Sequence, residues 1–352
     1  MILNLYLWKR IFTHILTVLL VFGIIEYMMT GLSEFSYGLE GDYQVVQALW
    51  FVLVTSPSRL YELFPLIVLV GCLTGLGSLA NSSELTVIRA AGFSIPAITI
   101  RVLQPVLVIM IVVGLLGETL IPMAESYGQA YRSTRSHEDT SSGRYGFWHK
   151  DGSEFIYFGA LTPEGNVEGL RRYIVNSNGQ PTGMISAKNG KFEHNQWQLF
   201  NVEQDDFRDR FIEQHQYDVM TWNTDVTPEL LSTLIVEPGK LSILGLWKYV
   251  SYLNAQGIDA SKYELAFWEK ALRPVMTAAL VLVAISFIFG PLREVAMGTR
   301  IFAGVLVGLL IKMSENILPS FAMIYDIDPI IIDSLPIILC GGVGLWLLRR
   351  VG

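Results

Sequence analysis

The chain has 352 residues, of which 51% are hydrophobic and 16% charged, with a net charge of −7. This balance argues against a set of ordinary soluble domains, and the acidic excess argues against nucleic-acid binding, which calls for a basic face. The two cysteines, Cys72 and Cys340, lie inside apolar runs and read as small buried hydrophobes.

Six apolar runs are long enough to cross a hydrocarbon core: 11–29, 63–80, 98–121, 271–289, 301–318 and 330–348. The first follows Lys9 and Arg10, as a secretory signal would. It is long for such a signal and no small-x-small cleavage site follows, so it reads as a retained span. The loop 31–55 carries Glu34, Glu40 and Asp42 without a basic residue. Gly71 and Gly75 in the second span, like Gly304 and Gly308 in the fifth, form small-xxx-small patterns that permit close helix approach.

After the second span comes Asn81-Ser82-Ser83-Glu84-Leu85-Thr86-Val87-Ile88-Arg89-Ala90-Ala91-Gly92. Asn81 and Glu84 have the spacing of a capping box, Gly92 suits a left-handed stop, and Pro96 opens the next span. The pattern predicts a surface helix over 82–91, too short to stand without a docking surface. Leu85, Val87 and Ile88 are expected to face lipid or a partner.

A dense polar block, 125–240, follows the third span. Near-alternating runs at 155–158, 173–175 and 197–200 are bounded by Asp151-Gly152, Asn178-Gly179 and Asn189-Gly190. Such pairs suit the type I′ turns of antiparallel hairpins, so the block reads as a β sandwich or open roll. From 242 to 270 the pattern turns helical. Arg273 and Pro274 open the fourth span, where a first-turn proline is tolerated. The chain therefore divides into helices at 1–135, a β domain at 136–240, and a connecting helix with three spans at 241–352.

Orientation follows Lys and Arg. Lys9 and Arg10, Arg89 and Arg101, Arg293 and Arg300, and Arg349 and Arg350 fall on one side, whereas the loop with Asp326, Asp328 and Asp333 has no basic residue. Both termini and the 82–91 helix are expected in the cytoplasm, and the β domain on the opposite side.

Ionisable residues at membrane depth are costly and invite a functional reading. Lys312 and Glu315 sit one turn apart and can pair; Glu26, Arg59, Glu118, Arg132 and Arg135 lie near the interface facing the β domain. Basic groups there suit phosphates of a lipid headgroup, although snorkelling or structural pairing explains each singly. No G-x-x-x-x-G-K-[ST], H-E-x-x-H or G-x-S-x-G motif occurs, and the histidines show no metal-ligand spacing. Uphill work by this chain would draw on a partner or an ion gradient.

The stretch from Ser83 to Gly92 resembles the coupling-helix motif of the LptF/LptG permeases of lipopolysaccharide export. So does Ile285-Ser286-Phe287-Ile288-Phe289-Gly290-Pro291-Leu292-Arg293, followed by Met297-Gly298. The resemblance spans essentially the whole chain. Gly117-Glu118 with Pro122, and the turn Trp148-x-x-Asp151-Gly152, are nearer the LptG branch.

The resemblance implies a membrane α-helical bundle of six transmembrane helices with an inserted periplasmic all-β jellyroll-like domain, in the bacterial inner membrane. It implies an LptF-type permease partner, a V-shaped cavity for lipopolysaccharide, an LptB-type ATPase dimer that binds ATP and Mg, and an LptC-type bridge protein, with no cofactor and no catalysis in this chain. Glu84, Leu85, Thr86, Val87, Ile88, Arg89 and Ala90 would contact the ATPase. Arg132 matches a basic family position suited to lipid phosphates; Glu26, Arg59, Arg135, Lys312 and Glu315 join it as lipopolysaccharide-binding candidates. In the first span, relatives can carry a lysine where this chain has Glu26, and Arg59 can supply part of the missing charge. Two other classes remain: a non-transporting sensor reading the periplasm through the β domain, and a lipid-directed enzyme using Lys312 and Glu315 as an acid–base pair.

Overall fold

Among the described residues, six helices are long and apolar enough to cross a membrane: Leu3–Phe35, Phe64–Asn81, Ile95–Gln129, Ser261–Phe289, Met297–Tyr325 and Pro329–Arg350. They coincide with the six expected runs, and the all-β insertion follows the third. The computed structural model describes residues 2–36, 44–135, 147–152, 154–161, 166–176, 179–193, 196–208, 211–224, 226–228, 231, 238–255, 259–290, 295–325 and 327–351. Arg293, Asp326, Glu40, Asp42 and Asn178 fall outside them.

Several helices outrun their apolar cores. Helix α1 (Ile2–Ser36) has 35 residues, about 52 Å at 1.5 Å per residue, against about 30 Å of hydrocarbon. Helix α2 (Val45–Glu62) precedes α3 (Phe64–Asn81), so much of the expected 31–55 loop is helical. α4 (Glu84–Ala90), α5 (Ile95–Glu118) and α6 (Leu120–Arg135) follow. The interruptions have a shared cause. Pro65 and Pro122 lack the N–H that would bond the carbonyl four residues back, and their rings crowd it, so the chain breaks at Leu63 and Thr119.

Beyond the insertion lie α7 (Ile243–Ala255), α8 (Ser261–Phe289), α9 (Met297–Tyr325) and α10 (Pro329–Val351). The expectation that Pro274 occupies a first helical turn is corrected: α8 starts thirteen residues earlier, at Ser261, and carries Pro274 in its interior. Asp328 caps α10, its Oδ1 accepting from Ile330 N–H at 3.0 Å, and Asp333 is helical rather than in the preceding loop.

The chain forms two compact units. Met1–Met29, Ser56–Thr119 and Ala260–Gly352 make the first; Thr30–Thr55 and Leu120–Asp259 make the second. In the first, α3 and α8 are mostly buried, while few residues of α1, α9 and α10 are. Lipid is as apolar as leucine, so helix association there rests on close packing. The glycine patterns provide it. A Cβ on Gly71 would lie 2.7 Å from Ile15 Cγ1 and 2.8 Å from its Cα, and Gly304 and Gly308 are packed against Leu73 and Leu66. Cys72 and Cys340 are free and buried.

The second unit holds a six-stranded antiparallel sheet: β1 (Phe147–Asp151), β2 (Glu154–Leu161), β3 (Val167–Val175), β4 (Pro181–Glu193), β5 (Gln196–Arg208) and β6 (Phe211–Trp222), each beside the next. Alternation puts Ile156, Phe158, Leu170, Ile185, Ala187 and Val202 into one core, joined by Trp197, whose Nε1 donates to the Val226 carbonyl at 2.7 Å. Asp151-Gly152 and Gly179 lie at hairpin ends as expected, with positive φ at both glycines. Asn189-Gly190 does not form the expected turn. Both residues pair within β4–β5, and Gly190 leaves room for Leu199 and Trp197.

Candidate functional site

The surface helix α4 is seven residues long, shorter than the ten expected. Its start departs from the expected capping box. Ser83 precedes the helix in a left-handed conformation, φ 60°, with no side-chain cap. Asn81 instead accepts at Oδ1 from Arg300 Nη1, 3.1 Å away, and the same Nη1 bonds the Gly77 carbonyl at 3.0 Å. The Glu84 carboxylate accepts from Ser82 Oγ at 2.8 Å and from the Tyr6 hydroxyl, with Arg10 3.9 Å away. The hydrogen bond from Tyr6, then that from Ser82, and the Arg10 charge hold the Glu84 carboxyl below its ordinary value.

The helix ends as its glycine requires. Gly92 has φ +93°; its N–H reaches Arg89 O at 3.0 Å, and Phe93 N–H reaches Ile88 O at 3.4 Å. This is a Schellman stop, with Phe93 and Ile88 both packed at the main core. Ser94 then caps α5, accepting from Ala97 N–H, with Pro96 in the first turn.

Periodicity divides the helix face. Leu85 and Ile88 are buried in the core formed with α1, α3, α5 and α8. The expectation that they face outward is corrected: three-residue spacing puts both on the side that docks the helix, and so short a helix needs that docking. Thr86, Val87, Arg89 and Ala90 are exposed, with Val87 66% accessible. The Arg89 guanidinium lies 6.0 Å from the Phe289 ring centroid.

The candidate lipid-binding residues come together as ion pairs. In the first unit, Arg59 Nε is 3.8 Å from Glu26 Oε1, and Lys312 Nζ is 3.5 Å from Glu315 Oε2. Arg59 Nη1 is buried without a hydrogen-bond partner. In the second unit, Arg132 Nε lies 3.0 Å from buried Glu34, and its guanidinium is 5.3 Å from the Phe51 ring centroid. The side chain of Arg135 falls outside the described residues.

Two cations that the sequence does not single out as site residues, Lys270 and Arg273, each bind a backbone oxygen at a helix break. Lys270 Nζ donates to the Gly117 carbonyl at 3.1 Å and faces Glu118 at 3.8 Å. Arg273 Nη1 donates to the Tyr61 carbonyl at 3.2 Å, and its Nη2 to Glu269 at 2.8 Å. Tyr61 stands four residues before Pro65, and Gly117 five before Pro122. These cations thus satisfy backbone oxygens at the breaks in α2–α3 and α5–α6. The available signal was the prolines themselves: Pro65 frees the Tyr61 carbonyl four residues back, and Pro122 interrupts the helix just after Gly117.

The docked motif helix, the six spans and the β insertion coincide with a family-wide match. The family model "Lipopolysaccharide export system permease LptF/LptG" matches residues 5–350. The chain belongs to the LptF/LptG family. It is 32% identical over 353 residues to lipopolysaccharide export system permease protein LptG of Escherichia coli strain K12, covering 99% of this chain and 98% of that protein. Identity to LptG of Haemophilus influenzae is 31% over 351 residues, covering 99% and 98%. As an LptF/LptG family member with six apolar helices, the protein is a multi-pass membrane protein.

Proposed function

We propose that this chain is the LptG-type permease subunit of an ABC-type transporter that extracts lipopolysaccharide from the outer leaflet of the inner membrane. It works beside an LptF-type permease and passes the lipid to an LptC-type periplasmic bridge. The energy comes from ATP hydrolysis, with Mg, in an LptB-type dimer; this chain contributes no cofactor and no catalytic residue. Both termini and α4 face the cytoplasm, and the β domain, within 136–240, faces the periplasm.

One observation carries this reading: a motif helix is anchored through Leu85, Ile88 and Glu84, leaving Thr86, Val87, Arg89 and Ala90 outward as a small docking surface. An apolar Val87 beside a cationic Arg89 suits a groove on a soluble ATPase. Arg59, Arg132, Arg135 and Lys312 are the cations for lipid phosphates, with Glu26 and Glu315 setting the charge beside Arg59 and Lys312.

Depletion in living cells provides the test. Lipopolysaccharide should accumulate in the inner membrane, and the permease purified in mild detergent should bring down an ATPase. Normal surface delivery of lipopolysaccharide after depletion overturns the proposal.

A further inference from the structure

Helix α6 leads towards the sheet, and a 3-10 turn, Pro238–Lys240, follows it on the return path. The two meet at one ion pair. Glu125 Oε1 accepts from Lys240 Nζ at 3.1 Å and from Gln129 Nε2 at 3.0 Å, although Glu125 and Lys240 are 115 positions apart in sequence. Glu125 is 1% exposed, and its second oxygen, Oε2, is buried without a hydrogen-bond partner.

Burying a carboxylate carries a desolvation penalty that its partners only partly offset. Leucine at the same place would pack without that penalty, but it would hold nothing in particular. The surrounding geometry gives the charge a purpose. Ile121, Glu125 and Gly128 form the buried stripe of α6. At Gly128 an added Cβ would come within 2.6 Å of Thr55 Cγ2, so α6 lies close against α2 there. One turn on, Arg132 pairs with Glu34. α6 also packs on β2 and on the 3-10 turn. A second tie joins the same two paths, because His149 Nε2 on β1 is 3.1 Å from Tyr252 OH on α7, with the rings stacked.

We propose that Glu125 and Lys240 form a clasp at the base of the inserted domain. The clasp joins the ascending and returning segments, so that a displacement of α6 reaches the sheet along both connections. Glu125 and Lys240 are then positioning residues for export. The export arm of the proposal rests on the permease reading above; the closure of the clasp does not.

The experiment uses the full permease complex in nanodiscs. Glu125→Gln and Lys240→Met are compared with a Glu125→Cys/Lys240→Cys double variant bridged by a cleavable bis-thiosulfonate reagent. Each single variant should raise backbone hydrogen exchange across 238–255 and lose ATP-driven lipid release, while ATP hydrolysis and subunit copurification persist. Bridging should restore release, and reductive cleavage of the bridge should remove it again. Unchanged exchange in both single variants overturns the clasp. Raised exchange with normal release, or a bridged variant that stays inactive, overturns its role in export. A wild-type complex that hydrolyses ATP without releasing lipid would instead sink the permease reading, leaving the exchange result to decide whether the clasp exists.

Discussion

Two positions on α4 separate folding from the proposed docking. Leu85 is 5% exposed within the membrane unit's core, whereas Val87, two residues on, is 66% exposed. Truncating a buried leucine to alanine costs about 2–5 kcal/mol. Leu85→Ala should therefore lower the unfolding temperature of the purified permease and lose the ATPase only as a consequence. Fully burying a valine contributes about 1.5–3 kcal/mol, so burying the exposed two-thirds of Val87 under a partner contributes about 1–2 kcal/mol, roughly a five- to thirtyfold change in affinity. Val87→Ser should leave the unfolding temperature of the isolated permease unchanged and weaken ATPase binding by that factor. Val87→Glu should abolish binding, because it also demands desolvation of a carboxylate. The assays are thermal unfolding of the permease alone and titration of the ATPase onto permease nanodiscs. Wild-type affinity in Val87→Glu refutes the assignment of the outward face. An unperturbed unfolding temperature in Leu85→Ala refutes the inward one.

The Glu84 carboxyl, held below its ordinary value chiefly by Tyr6, contributes stability that is fully present above the ordinary carboxylate range near pH 4.3 and is lost as pH falls through the lowered folded value. Tyr6→Phe should remove much of that acid dependence, read from unfolding temperatures between pH 6 and pH 3; an unchanged profile denies the Tyr6 contact its role. Gly71→Leu should cost about 1–3 kcal/mol, because the new Cβ meets the Ile15 Cα as well as its side chain, and the backbone cannot swing aside. Unfolding temperature in one detergent tests it, and a stability equal to wild type contradicts the close approach of α1 and α3. Gly92→Ala should cost about 1–2 kcal/mol by forcing a left-handed conformation on alanine, again read from unfolding. Glu26→Gln and Arg59→Gln should act in opposite directions on photo-crosslinking of lipopolysaccharide, with yield up for the first and down for the second; equal losses would mark the pair as structural.

Much of the architecture was legible because the bilayer constrains it so strongly. The apolar runs had to be helices, since no other open structure satisfies its backbone in lipid. Gly71, Gly75, Gly304 and Gly308 marked contacts that the structure contains. What hydropathy concealed was where helices stop. Polar sequence such as 31–36 carries no hydropathy signal, yet it continues α1 beyond its apolar stretch, whereas the apolar run 45–55, too short by itself to cross a membrane, opens α2. Asn189-Gly190 misled for a related reason. The pair has turn chemistry, but at that register a missing side chain admits Leu199 and Trp197, and packing decides the outcome.

The site was legible as a motif and illegible as a surface. Capping chemistry foretold the Gly92 stop, which depends on neighbours within the motif. It misassigned Asn81 and Glu84, whose partners, Arg300 and Tyr6, lie 219 and 78 positions away. The membrane charges carry the same lesson further. Lys312 faces Glu315, the partner that its spacing suggests, Arg59 faces Glu26 from a distant segment, and the more deeply buried Lys270 and Arg273 hold backbone carbonyls at helix breaks. A basic residue at membrane depth therefore has an internal claim on it before any lipid arrives. A phosphate must outcompete Glu26 to engage Arg59. Neutralising that carboxylate is consequently a sharper probe of lipid binding than deleting the arginine, whose loss would disturb packing and recognition together.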